Sequence, residues 1–300
     1  MTHGDDGYFP RGRSVLRRIH SHRAVGLLFG QRALMIGALN PLAFTGTLEH
    51  TGGRLKPFAR LAHTGSVFET IFFGTRAEAD KALEWVHGLH ERVRGELAED
   101  AGVTPAGSRY SAFDPPLMLW TMAVIADSAP YFYELLVRGL DDEEREALWQ
   151  DYVLFAELFG MPRDAAPRTH REFREYWDER MASDELHLTE DARHIGYATA
   201  FEIPMPAYYA PAKRLHDLIM LGSLPARVRE LYGLGWTSAH AIAFRAAVTT
   251  LHRTRPLVPA VIRRGGNRAS FDLVARTERE RIARGEPTPQ APPAVSARQA

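Results

Sequence analysis

The chain has 300 residues and is 45% hydrophobic, so it can bury a full core as one large domain or two tightly packed ones. Basic and acidic residues number 37 each. No global field therefore draws the molecule to nucleic acid or to an anionic membrane, although a local patch is compatible with this balance. The absence of cysteine excludes disulfides, thiolate-ligated haem, iron–sulfur clusters and cysteine nucleophiles, and it leaves histidine and carboxylate as metal ligands.

The composition of the N-terminal residues predicts no signal peptide. Residues 1–7 are polar and acidic, and no apolar core of a signal peptide follows them. The most apolar window, residues 24–48, is interrupted by Gln31, Arg32, Asn40 and Pro41, so it lacks the run of about 20 apolar residues that a membrane span needs. We predict a buried helix that ends near Asn40, in a soluble, cytoplasmic protein without a membrane span.

Helical periodicity dominates the chain, and no alternating run is long enough to predict a sheet. Helices are predicted at residues 14–20, 25–39, 41–50, 57–73, 76–95, 115–136 and 141–159, then after Thr169 and Pro211, and at 225–232 and 237–252. Thr75 and Glu78 form a capping-box pattern, and Asp114 is a predicted N-cap. We therefore predict an all-α fold with an arm at residues 1–20, one helical domain at 21–262, and a disordered tail at 263–300.

Two of these helices place polar side chains on faces that should be apolar. Arg60, His63 and Thr64 have the spacing i, i+3 and i+4, so they project from one side of a helix. In the next helix, His90 lies inside an apolar stripe formed by Ala79, Ala82, Leu83, Val86, Leu89, Val93 and Leu97. Buried polar groups are costly without partners, and an imidazole that faces an apolar cavity is how proteins hold haem. The pattern therefore favours a shared site.

Simpler interpretations of these residues stay open. His90 can be a core histidine that is bonded to a backbone carbonyl group. His87 is the rival ligand, but its neighbours on the helical wheel are charged, so it is predicted to face solvent. Arg60 can extend along the surface to reach water.

Non-haem iron is a further alternative. A four-helix di-iron site needs two Glu-x-x-His pairs and two more inward carboxylates. The chain offers one such pair, Glu84 with His87, and a related pair, Asp191 with His194. The first pair is predicted to face solvent and the second lies in ambiguous sequence, so this pattern is weak.

A series of short motifs runs through residues 20–262 in a specific order. They are Asn40-Pro41, Glu49-His50, Arg60 with Thr64, Phe73-Gly74-Thr75, Leu89-His90, Tyr110 through Asp114 to Trp120, Gly160-Met161-Pro162, Leu224-Pro225, and Leu231 to Trp236. In these motifs the chain resembles the helical family that contains the MpaB oxygenases and the rubber oxygenase called latex clearing protein.

The resemblance implies an all-α fold with a globin-like core and a b-type haem as cofactor. It implies that His90 is the proximal iron ligand and that Arg60 and Thr64 lie on the distal side. His63 occupies a position where the family can have an iron-ligating lysine. Glu49 is the nearest match to an upstream carboxylate that acts in the oxidative chemistry. The implied partners are a small apolar substrate and O2.

Three positions depart from the family pattern. Asn40 and Met122 stand where histidine is usual, and His63 replaces a lysine or arginine. These changes keep the proximal ligand and remodel the pocket. Two hypotheses follow: a haem-b-dependent oxygenase that acts on an apolar substrate, or a helical binding or regulatory protein whose site is degenerate or holds non-haem iron. The sequence indicates no oligomeric state.

Overall fold

A computed structural model describes residues 7–49 and 56–286 of the chain. The described residues are predominantly helical, which confirms the predicted all-α class, while the globin-like core stays a prediction. The α-helices and strands are α1 Val15–His20, α2 Arg23–Gly37, α3 Pro41–Glu49, α4 Pro57–Phe73, α5 Arg76–His90, β1 Arg94–Glu96, β2 Arg109–Ser111, α6 Pro115–Leu136, α7 Asp142–Leu158, α8 His170–Ala182, α9 Glu190–Phe201, α10 Ala210–Ser223, α11 Ala226–Leu231, α12 Ser238–Thr254, α13 Ala260–Arg263 and α14 Arg268–Ala283.

Local capping chemistry sets several helix starts where the sequence predicts them. Thr75 accepts a hydrogen bond from the backbone N–H of Glu78, whose side chain accepts in turn from the N–H of Thr75. Asp141 forms the same reciprocal box with Glu144 at the start of α7. Each box satisfies backbone donors that have no partner within the helix. Asp114 precedes α6 as predicted, but its side chain makes no capping hydrogen bond.

The core is built around the packing of α2 against α6. Trp120 of α6 is fully buried, and its indole Nε1 donates to the carbonyl oxygen of Gly37 at 3.0 Å. Arg32 of α2 is 3% exposed; its Nη1 donates to Asp127 Oδ2 at 2.7 Å and to Ser128 Oγ at 2.8 Å. The apolar window therefore carries an arginine because α6 supplies a buried counter-charge.

The apolar window does not form a straight span. Among the described residues, no single helix is both long and apolar enough to cross a membrane. Helices α2 and α3 meet the length and composition requirement only together, and they are bent by 116° at the break between them. Asn40 lies at this break, where its Oδ1 accepts from the backbone N–H of Ala43 at 3.1 Å.

Helix α5 is shorter than predicted, so that His90 is its last residue and not an interior one. The sequence predicts a helix to residue 95, but the helix ends at His90 and the chain enters strand β1. Gly95 pairs with Tyr110 of β2, and a Cβ at Gly95 would lie 2.5 Å from the Tyr110 hydroxyl oxygen. A close contact between distant segments therefore ends the helical period, and His90 is the last residue of α5.

Two described segments near the ends of the chain, α1 and α14, pack against the rest of the fold. Leu16 and Ile19 of α1 are fully buried, so residues 15–20 belong to the core rather than to an arm. The predicted tail contains α14, which packs against α4. Its composition is charged, but Glu278 is 1% exposed and accepts hydrogen bonds from the backbone N–H groups of Phe58 (3.3 Å) and Ala59 (2.8 Å). Tertiary partners for buried polar groups, which composition does not reveal, stabilise this helix.

Candidate functional site

A cavity of about 1350 Å³ lies between α2, α4, α5, α6, α10 and α14. Its volume exceeds the range of about 300–1,000 Å³ that is usual for small-molecule sites. The structure brings the predicted residues together here, because Arg60, His63, Thr64, His90 and Met122 all line this one cavity. The space is therefore large enough for a cofactor and a further apolar molecule.

Helix α4 contributes Arg60, His63 and Thr64 from one face, as their spacing predicts. Arg60 Nη1 donates to the carbonyl oxygen of Thr47 at 2.8 Å, which ties α4 to α3. Desolvation by the surrounding protein lowers the pKa of the Arg60 guanidinium, although Arg60, His63 and Thr64 are all exposed. The His63 ring meets the Trp85 ring edge-on, with 4.7 Å between the centroids.

His90 presents an imidazole without a hydrogen-bond partner at the buried end of its ring. Its Nδ1 is inaccessible to solvent and has no partner among the described residues. The rings of Phe113 and Phe159 flank it at 6.0 and 6.3 Å between centroids. Burial, followed by the neighbouring His87, lowers the pKa of His90. His90 is therefore held in the neutral form that coordinates metals.

His87 does not face solvent, and that prediction was wrong. It is half-buried, and its Nε2 lies 3.1 Å from the carbonyl oxygen of Leu158 at the end of α7. The helical wheel of α5 cannot reveal this partner, because α7 is a distant segment. The interpretation of a histidine bonded to a backbone carbonyl group therefore fits His87, whereas the buried nitrogen of His90 lacks such a bond.

Of the two remaining predicted positions, Met122 and Glu49, only Met122 has a described side chain. Met122 is 4% exposed and places a thioether in the wall of the cavity. Glu49 is the last residue of α3, and its side chain lies outside the described part of the structure.

The residues proposed for non-haem iron do not assemble into a cluster. Within residues 7–49 and 56–286, no group of three or more histidine and carboxylate side chains could hold a metal ion. Glu84, Asp191 and His194 are exposed, and His87 is bonded to a backbone carbonyl oxygen. Haem, in contrast, requires only one or two side-chain ligands.

Further polar residues that line or adjoin the cavity were not predicted from the sequence. His20 lines the cavity, and its Nε2 lies 3.0 Å from the hydroxyl oxygen of Tyr152. Burial lowers the pKa of His20 to about 3. His216 of α10 also lines the cavity, with its Nε2 2.7 Å from Gln31 Oε1. The interruption of an apolar window by Gln31 was the one visible signal, but its partner follows 185 residues later.

Helix α14 forms part of the cavity wall beside the predicted residues of α4. Phe271 lines the cavity, and a Cβ at Gly65 would lie 2.7 Å from its ring. Glycine at position 65 therefore allows α14 to approach α4 next to Thr64. At the start of α4, the side chain of Lys56 provides no cap, and Glu278 of α14 accepts from the first N–H groups instead.

Comparison with known proteins identifies the family. A family model described as "ER-bound oxygenase mpaB/B'/Rubber oxygenase, catalytic domain" matches residues 17–253, and the chain therefore belongs to this family. Two proteins described as uncharacterized, from Mycobacterium bovis and Mycobacterium tuberculosis, are each 28% identical over 207 residues, which is 68% of this chain and 76% of the relative. No solved structure matches the chain significantly. Helix α14 lies beyond the residues that the family model matches.

Proposed function

From this family membership and the geometry of the cavity, we propose that the protein is a haem-b-dependent oxygenase that acts on a small apolar substrate with O2. The observation that carries the proposal is His90, a neutral imidazole at the end of α5 that lines a large apolar cavity and has a buried nitrogen without a partner. The family is an oxygenase family by description, which supports the reaction class.

The side chains present fit a haem group. His90 would hold the iron, because its imidazole lines the cavity and its lowered pKa favours the neutral form that binds metals. His63 is a second imidazole in the same cavity and is available as a ligand from α4. Haem, when bound, would supply the redox chemistry that activates O2. Arg60 is a charged donor that can pair with a propionate.

The distal residues would act as positioned donors. The Arg60 guanidinium and the Thr64 hydroxyl line the cavity from one face of α4. Donors that are fixed in advance stabilise negative charge as it develops, and they do so more strongly where water is excluded. The bond from Arg60 to the carbonyl oxygen of Thr47 holds the guanidinium in place before any ligand binds. The mostly apolar walls of the cavity favour an apolar substrate.

The absorption spectrum of the purified protein tests this proposal. An intense Soret band with near-stoichiometric haem supports it. His90→Ala should abolish haem retention, whereas the matched variant His87→Ala should retain haem because His87 is bonded to the Leu158 carbonyl oxygen. A colourless protein that hemin cannot reconstitute would contradict the proposal, and so would a reversal of the two variants.

The residues Asn40 and Met122 favour the alternative function, which is that of a binding or regulatory protein. Asn40 caps α3 and Met122 contributes a thioether, although histidine is usual at both positions in the family that the chain resembles. A binding or regulatory protein with a degenerate site would bind apolar ligands in the cavity without haem. Iron found by metal analysis without a Soret band would instead indicate a non-haem site.

A further inference from the structure

The positive charge of the chain is concentrated near its C-terminal third. The whole chain is balanced, with 37 basic and 37 acidic residues, but residues 231–271 contain no aspartate or glutamate. The same stretch carries six arginines: Arg245, Arg253, Arg255, Arg263, Arg264 and Arg268. A local cationic region therefore exists within a neutral molecule.

Large aliphatic side chains are exposed in the middle of this stretch. Leu257 is 81% exposed, Val261 is 77% exposed and Ile262 is 59% exposed. Leu257 ends a short 3-10 helix, and Val261 and Ile262 belong to α13. They are not among the described residues that line the cavity, so they face the outside of the molecule. We refer to residues 253–264 as the α13 surface. Adjacent exposed aliphatic groups of this size mark an interaction site.

The arginines of the α13 surface are not neutralised by carboxylates. Across the described parts of the chain, none of Arg253, Arg255, Arg263 and Arg264 forms an ion pair. Burial, followed by repulsion from Arg264, Arg255 and Arg263, lowers the pKa of His22 to about 4. The three guanidinium groups therefore all lie close enough to His22 to repel its protonated form. The α13 surface thus combines positive charge with exposed aliphatic side chains.

We propose that the α13 surface docks the protein on an anionic lipid membrane. Aliphatic side chains can enter the boundary between headgroups and acyl chains, while arginines pair with the lipid phosphates. A nucleic acid would satisfy the arginines, but single-stranded nucleic acids stack on aromatic rings and none of the three exposed side chains is aromatic. The exposed aliphatic groups therefore favour a membrane over a single-stranded nucleic acid.

The α13 surface adjoins a wall of the cavity. Arg264 pairs with His22 in an isolated β-bridge, and the N–H of Gly265 donates to the carbonyl oxygen of Ser21 at 2.8 Å. These bonds attach the surface to the start of α2, where Ala24 and Leu27 line the cavity. A membrane bound here would lie beside the cavity wall. Membrane binding itself needs no haem, so this proposal can succeed or fail independently of the oxygenase proposal.

Vesicle sedimentation with the full chain tests the proposal. The protein should co-sediment with vesicles of phosphatidylcholine and phosphatidylglycerol, much less with phosphatidylcholine alone, and less at high salt because the ions screen the attraction. Each arginine near an anionic surface contributes about fivefold in affinity, so Arg253→Gln with Arg264→Gln should weaken binding about 30-fold. Combined Leu257→Ser, Val261→Ser and Ile262→Ser should also weaken it at least tenfold, by removing the apolar contacts.

Two matched controls test whether the location matters. Arg276→Gln with Arg279→Gln removes the same charge from exposed positions of α14, and Val103→Ser removes an exposed aliphatic group elsewhere. Both should bind vesicles as the unchanged protein does. Absence of binding to the anionic vesicles, or equal loss in test and control variants, would overturn the proposal. It would also be overturned if the serine variant abolished a dimer in sedimentation velocity while the unchanged protein bound no vesicles.

Discussion

The two sides of the cavity differ in how their histidines are bonded. On the α2 wall, formed here by Gln31 of α2 and His216 of α10, His216 lies 2.7 Å from Gln31 and 3.1 Å from Asp217. On the α4–α5 wall, formed by Arg60, His63, Thr64 and His90, the buried Nδ1 of His90 has no described partner. Buried polar groups without a partner cost free energy. The polar groups of the α2 wall therefore satisfy one another, whereas the buried nitrogen of His90 on the α4–α5 wall has no hydrogen bond to any described residue.

The largest expected effect comes from the ion pair between the buried Arg32 of α2 and Asp127 of α6. Asp127→Ala leaves Arg32 buried without its carboxylate and should lower the free energy of unfolding by about 3–5 kcal/mol. Asp178→Ala is the matched control, because Asp178 pairs with Arg174 at 3.2 Å on the surface and should cost at most about 1 kcal/mol. Urea unfolding measures both. Equal costs would show that the α2 wall does not depend on this buried charge.

The second effect is a loss of stability in acid that involves His20. Its pKa is about 3 in the folded protein and near 6.5 when unfolded, so only the unfolded chain binds this proton between these values. The contribution is complete above pH 6.5 and is lost as the pH falls towards 3, with a slope of at most ~1.4 kcal/mol per pH unit.

The variant His20→Gln, which can keep the bond to the Tyr152 hydroxyl group, should reduce the acid slope by the contribution of His20, while His22 keeps its own. His194→Gln is the control, because His194 is exposed. Urea unfolding between pH 7 and pH 4 should therefore separate the two variants. If both retain the same slope as the unchanged protein, His20 is not the group that takes up the proton.

A third prediction compares one histidine from each wall in haem-free protein. His216→Ala removes the partner of Gln31 and should lower the free energy of unfolding by about 1–3 kcal/mol. His90→Ala should cost less than about 1 kcal/mol, because its buried Nδ1 makes no hydrogen bond and its ring already borders a cavity. If both variants lower the free energy of unfolding by a similar amount, the two walls do not differ in how much their histidines stabilise the fold.

The smallest effect concerns Glu278 of α14, which caps the first turn of α4. Glu278→Ala removes the acceptor for the N–H groups of Phe58 and Ala59 and should cost about 0.5–2 kcal/mol. Glu280→Ala changes an exposed carboxylate of the same helix and should be close to neutral. Thermal unfolding compares the two. A neutral Glu278→Ala would show that α4 keeps its first turn without α14.

Much of the helical framework was predictable because its causes are local. The limits of α4 match the prediction, since Pro57 begins the helix and the chain leaves it at Gly74. The capping box of Thr75 and Glu78 forms as predicted, because both partners lie within four residues. The shared face of Arg60, His63 and Thr64 also follows from helical spacing alone.

The errors occur where a distant segment decides the outcome. Helix α5 ends at His90 because β1 pairs with β2, although the apolar period continues to Leu97. His87 was assigned to solvent because the carbonyl oxygen of Leu158, 71 residues away, does not enter a helical wheel. The charged composition of residues 268–283 predicted disorder. Composition does not reveal that Glu278 accepts a hydrogen bond from a backbone group of α4, which is a distant segment of the chain.

The sequence by itself determined most of the helices, the capping box of Thr75 and Glu78, and the face on which Arg60, His63 and Thr64 stand, because these depend on interactions within one or two helical turns. The tertiary structure alone decided which histidine has a partner. His87 is bonded to α7 and His216 to α2, while the buried nitrogen of His90 has no described partner. The reason is physical: a hydrogen bond requires two groups within about 3 Å, and only the folded chain brings distant residues to that distance.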